Sequence, residues 1–209
     1  DRIFLYIIGI SWFWFYGSVI TLQIPAYTIN ILMGDESLTT FLLATFAIGI
    51  GIGSLACEKL SRNQIELGIT PIGAIGLSLF TLDLYFFSSD LNIVTPMSIK
   101  LFLTHLSNWR LILDLIMIGA FGGIFSVPFY AAIQEQAEKK FLSRIIAANN
   151  IINAIFMVSA SLLAISILSL GASIPEFFAL ISVLNIFLMI IMHFNSKIFL
   201  ERFLCILKN

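Results

Sequence analysis

Residues 145–170 read IIAANNIINAIFMVSASLLAISILSL, without one ionisable side chain. A helix rises about 1.5 Å per residue, so this stretch is long enough to cross the roughly 30 Å hydrocarbon layer of a bilayer. It lacks the strict alternation of apolar and polar residues that marks a barrel strand of about 10 residues. A helix satisfies its own backbone polar groups, which lipid demands. The stretch therefore reads as a transmembrane helix, and five others resemble it: about 3–32, 40–56, 67–87, 109–133 and 174–194.

Working outward, the composition agrees. The chain of 209 residues is 59% hydrophobic and 11% charged, and its mean hydropathy is +1.03. Soluble domains carry about 25% charge. The expected fold class is an all-α membrane protein of six transmembrane helices. Residues 1–196 form that unit, and 197–209 form an amphipathic cytoplasmic tail. A net charge of −1 gives no bulk electrostatic case for nucleic acid. Cys57 and Cys205 make neither a disulfide framework nor a metal site, and no cofactor is expected. The chain opens Asp1-Arg2, with no cleavage site after its first apolar stretch. It reads as a segment of something larger.

Threading the six spans separates the basic residues. One side receives Arg2, Lys59, Arg62, Lys139, Lys140, Arg144, Lys197, Arg202 and Lys208; the other receives Lys100 and Arg110. By the positive-inside rule both termini are expected in the cytoplasm. Gly34 to Ser37 reads as a polar turn. In the longest loop, Thr95-Pro96 reads as a helix start. Ile99, Phe102, Leu103 and Leu106 then share one face of a short helix expected to lie on the membrane surface. Gly49/Gly53 and Gly119/Gly123 repeat a spacing that lets two helix backbones approach closely.

Polar groups inside the spans are few. Asp83 and Asp114 lie in the outer parts of the third and fourth. Buried carboxylates in lipid face a cavity or a partner, and Arg110, one turn before Asp114, is the partner expected for it. Asp83 reads as interfacial or as a cavity or proton-coupling group. Asn149 and Asn153 share a face of the fifth span, suited to packing or to a headgroup. Trp12, Trp14 and Tyr16, with Gln23 two turns on, form packing or a cavity wall. His105 and His193 read as interfacial.

The loop Gly53-Ser54-Leu55-Ala56-Cys57-Glu58-Lys59-Leu60-Ser61-Arg62 resembles a degenerate form of the major facilitator signature, Gly-x-Leu-Ala-Asp-Arg-x-Gly-Arg-Arg. Cys57 stands where that signature has Asp, and Leu60 where it has its second Gly. A longer resemblance rests on three runs. They are Ser11-Trp12-Phe13-Trp14-Phe15-Tyr16-Gly17, Gly49-Ile50-Gly51-Ile52-Gly53-Ser54-Leu55, and Ser143 to Ala154 (SRIIAANNIINA). Together they look like segments of bacterial lysophospholipid transporters of the major facilitator superfamily. They look most like forms fused to a phospholipid acyltransferase and an acyl-carrier-protein ligase.

The resemblance implies half of a major facilitator fold, two inverted three-helix repeats that work by alternating access. It implies lysophospholipid or another lipid as substrate, the N-terminal six-helix half as partner, and a fused acyltransferase domain downstream. It implies substrate contacts from Trp12, Tyr16, Gln23, Asp83, Asn149 and Asn153. It implies a conformational latch at Gly53, Glu58 and Arg62. No catalytic residue is expected: neither His105 nor His193 has an Asp five positions on, and no nucleophile elbow occurs. Two other readings stay open. One is a proton-coupled small-solute carrier using Asp83 or Asp114; the other is a membrane anchor for an acyltransferase.

Overall fold

Each apolar stretch closes its own backbone hydrogen bonds. The computed structural model describes residues 2–60, 66–89 and 96–195, and these are almost wholly helical. The helices are α1 Arg2–Asn30, α2 Glu36–Leu60, α3 Thr70–Ser89, α4 Ile99–Thr104, α5 Asn108–Gln136, α6 Leu142–Ser169 and α7 Ile174–Asn195. A single 3-10 turn, Leu67–Ile69, leads into α3. All but α4 are long and apolar enough to cross a membrane, so this is a multi-pass membrane protein of six candidate spans. Arg62, Thr95, the side chain of His193 and the 197–209 tail with Cys205 lie outside the described residues.

Helix α5 is the axis of the bundle. It packs along α2 on one side and α3 on another, and α1 crosses it; α6 leans mainly on α1, and α7 on α3. Helices α6 and α2 are the least enclosed. One end of the bundle, the near end, holds Arg2 and the α5–α6 connection. The far end holds the α1–α2 turn, α4 and the α6–α7 turn.

The glycine spacing acts as read. A Cβ on Gly49 would strike the carbonyl oxygen of Ile116, and one on Gly53 that of Ala120. Reciprocally, one on Gly119 would strike the carbonyl of Phe46, and one on Gly123 would lie 2.7 Å from the amide nitrogen of Ser54. Backbone meets backbone here. Without a hydrophobic drive between helices in lipid, such close packing is a principal source of association. Against α3, Gly73 admits the backbone of Phe125 and Gly76 the ring of Phe121.

The turns depart from the sequence reading in detail. Asp35 caps α2, its Oδ1 accepting from the Leu38 amide at 2.8 Å, so Glu36 and Ser37 join the helix rather than the turn. The short helix α4 begins after Ser98, which caps it by accepting from Leu101 N. Pro96, expected in the first turn, therefore precedes the helix. Nor does α4 lie as a free surface helix. The Met97 amide donates to the Met33 carbonyl at 2.9 Å, tying its entry to the α1–α2 turn. Asn108 Nδ2 and Trp109 Nε1 satisfy its final carbonyls, Phe102 and Leu103. Phe102 is wholly buried, whereas Leu106, expected on the same face, lies past the helix end and is 84% exposed. At the α6–α7 turn, Gly171 has φ +97°, a conformation other residues rarely adopt. Ser173 and Glu176 then form a reciprocal capping box for α7.

Candidate functional site

Three groups of polar side chains lie inside the apolar bundle, and each joins helices remote in sequence. The first binds α1, α3 and α7. Trp12 Nε1 donates to Asn185 Oδ1 at 2.8 Å, and Asn185 Nδ2 donates to the Ala74 carbonyl (2.8 Å) and Ser78 Oγ (2.9 Å). Ser78 and Ser182 exchange hydrogen bonds, each hydroxyl to the other's carbonyl, at 3.1 and 2.7 Å. Trp12 is also stacked on Phe15, ring centroids 4.8 Å apart. This cluster closes every bond it offers among the described residues, which is the property of a structural lock. Tyr16 is similarly used, donating to the Leu77 carbonyl at 3.1 Å. The sequence reading assigned no role to Asn185, Ser78 or Ser182. A lone amide in an otherwise apolar span was the available signal.

The second group lies where α1, α5 and α6 meet, in the half of the bundle toward the near end. Asn149 and Asn153 share the face of α6 that is buried against α1. In the amide orientation that satisfies both its ends, Asn153 donates to Ser11 Oγ (2.8 Å) and to the Asn149 carbonyl (3.1 Å). It accepts from Asn149 Nδ2 (3.0 Å), and its oxygen lies 3.3 Å from Trp14 Nε1. The Trp14 indole donates to the Tyr130 hydroxyl at 2.8 Å. Trp14 is 39% exposed, so the cluster reaches the bundle surface. One atom is left over: Asn149 Oδ1 is buried and has no hydrogen-bond partner. An orphaned buried acceptor costs about 1–3 kcal/mol, which a ligand donor would recover. Ser11 and Tyr130 were not anticipated from the sequence.

The third group sits at the far end, between α3 and α5. Arg110 donates Nε to Asp83 Oδ2 at 2.9 Å and Nη2 to Asp83 Oδ1 at 2.5 Å. The sequence reading paired Arg110 with Asp114 on its own helix. The structure instead gives both of these donors to the neighbouring helix, because the α3–α5 approach brings a carboxylate into the bidentate geometry a guanidinium favours. Asp83 is thus ion-paired, and Asp114 is buried behind the pair, 1% exposed.

The remaining expected residues are placed as follows. Gln23 is buried on α1, away from the Asn149 cluster. Gly53 lies in the α2–α5 backbone contact, and Glu58 is exposed on the last turn of α2. Among the described residues no group of three or more His, Cys, Asp or Glu side chains is placed to hold a metal ion. Comparison with protein-family models, curated proteins and solved structures finds no match.

Proposed function

We propose that this chain is one six-helix half of a major facilitator-type transporter and that its cargo is a lysophospholipid. The observation that carries the reading is the uncharged cluster of Ser11, Trp14, Tyr130, Asn149 and Asn153, with its vacant acceptor at Asn149 Oδ1. A lysophospholipid needs a polar berth for its head while its single acyl chain stays in apolar surroundings. Hydroxyl, indole and amide groups suit a head that is zwitterionic, and a carbonyl-type acceptor without a donor suits an ammonium. The berth is reached from the bundle surface along α1 and α6, where the tail keeps to lipid.

Packing supports the half-transporter part. In an inverted repeat, α1–α3 and α5–α7 exchange places, so α1 against α6 must be matched by α5 against α2. Both pairs are extensive and α3 meets its counterpart α7 directly, although α3 packs far more closely on α5 than α1 does on α7, a pair the same exchange relates. A second six-helix unit would complete the pathway, and an acyltransferase fused to or associated with it would consume the delivered lysolipid. The positive-inside balance supports a cytoplasmic near end, and the resemblance a bacterial inner membrane.

The test is photolabelling of the protein in membrane vesicles with a headgroup-diazirine lysophosphatidylethanolamine. Label is expected on peptides containing Trp14 and Asn149, competed by unlabelled lysolipid and reduced at least tenfold in Asn149→Leu. Label spread evenly over the lipid-facing helices and indifferent to that substitution would favour a passive membrane anchor instead.

A further inference from the structure

At the far end of α3 and α5 the charges do not balance. Asp83 and Asp114 are near enough to feel each other's charge, and both feel that of Arg110. Two of its five N–H donors lie on Asp83. The side chains of Arg110 and Asp83 are partly open to the surroundings, at 45% and 35%. Asp114 is closed off, and its Oδ2 has no hydrogen-bond partner.

Among the described residues no other group supplies the missing proton. From α1, Tyr27 lies within reach of the charge of Asp114. Its hydroxyl lies 2.7 Å from Ser88 Oγ, and the Ser88 hydroxyl donates to the Leu84 carbonyl at 2.6 Å. Ser88 has one proton and spends it on Leu84, so Tyr27 must donate to Ser88 and has none for Asp114. From α3 comes Asp83, itself an acceptor when ionised; from α5 comes Arg110. No charged group of α2 or α4 joins them among the described residues. An ionised Asp114 would face another carboxylate with no donor between them, in a layer where an uncompensated charge costs several kcal/mol. One proton on Asp114 turns the facing acceptors into a hydrogen bond and brings the trio to zero net charge.

We propose that Asp114 is a proton-binding site and that Arg110 exchanges from Asp83 to Asp114 as that proton leaves. Arg110 stands four residues before Asp114 on the same helix face, within reach of it. The step balances. The Asp114 O–H bond breaks and its proton passes to water at the far-end mouth. The Arg110 bonds to Asp83 break and equivalent bonds form to Asp114, and the half-open Asp83 carboxylate takes up water. The ion pair that clasps α3 to α5 is thereby released, loosening the far end. As a device that couples a proton to transport this rests on the function proposed above; as a proton site it does not.

The experiment is infrared spectroscopy of the protein in lipid nanodiscs at neutral pH. A carbonyl stretch from a protonated carboxylic acid is expected in the wild type and lost in Asp114→Asn. In Asp83→Asn the same band is also expected to vanish, because Arg110 then turns to Asp114 and holds it ionised. No such band in the wild type, which needs no variant to fold, overturns the site. A band that persists in Asp83→Asn, in protein with wild-type helix content, overturns the exchange. Neither reading uses a lysolipid, so a failed photolabelling and a failed proton site are told apart.

Discussion

Replacing Gly123 by Ala tests the packing of the whole bundle with a single methyl group. The new Cβ would lie 2.7 Å from the Ser54 amide nitrogen and 2.9 Å from the Gly53 carbonyl carbon and the Ile50 carbonyl oxygen. All three atoms are backbone, so no rotamer change relieves the clash. Ordinary contact begins at 3.4 Å, so α2 must withdraw by about 3.4 − 2.7 = 0.7 Å along a contact with no slack. Overpacking of this kind costs about 1–3 kcal/mol, and backbone against backbone belongs at the upper end. Alanine's better helix propensity returns up to about 1 kcal/mol. The net expectation is a loss of about 2 kcal/mol, or roughly thirtyfold in the unfolding equilibrium. The control is Gly51→Ala on α2, where nothing lies within 4 Å of the added methyl. Propensity alone acts there, so the variant should hold or gain stability by up to about 1 kcal/mol. The assay is equilibrium unfolding in mixed micelles of increasing dodecyl sulfate fraction, followed by circular dichroism. Equal midpoints for the two variants would refute the close α2–α5 packing. Gly53→Ala belongs with Gly123→Ala on this reasoning. Unaltered stability there would return Gly53 to a purely conformational role.

Two further expectations follow from the same structure. Asn185→Leu deletes three hydrogen bonds joining α7 to α1 and α3. At roughly 0.6 kcal/mol each it should cost about 2 kcal/mol in the same assay, against about 0.6 for Ser182→Ala, and equal effects would contradict the network. For sidedness, a membrane-impermeant amine reagent should modify Lys139 and Lys140 only after intact cells are opened, while Lys100 reacts from outside. The reverse pattern would invert the proposed orientation.

Much of the candidate site was written in the sequence as residue types but not as partners. Asn149, Asn153, Trp12, Asp83 and Asp114 stand out because each is polar in an apolar run. What each one meets was not legible. Trp12 finds Asn185 at a separation of 173 residues, and Ser11 finds Asn153 at 142. Arg110 had a plausible partner one turn away and took one on another helix. The short α4 illustrates the same limit, since the Met33–Met97 backbone bond that ties it to the α1–α2 turn leaves no trace in its own apolar face.

Hydropathy by itself determined that this chain folds in lipid, how many times it is able to cross, and which glycines allow close approach. Those properties belong to one segment at a time: transfer into a bilayer depends on a helix's own composition, and a missing Cβ is missing in any context. The rotation of each helix about its axis is a different matter. A span that is apolar all round has no stripe to say which face looks inward, so the sequence was silent on it. Only the packed bundle decided that Tyr130 joins Asn153, that Asn185 locks α7, and that Asp114 is sealed behind an ion pair made without it.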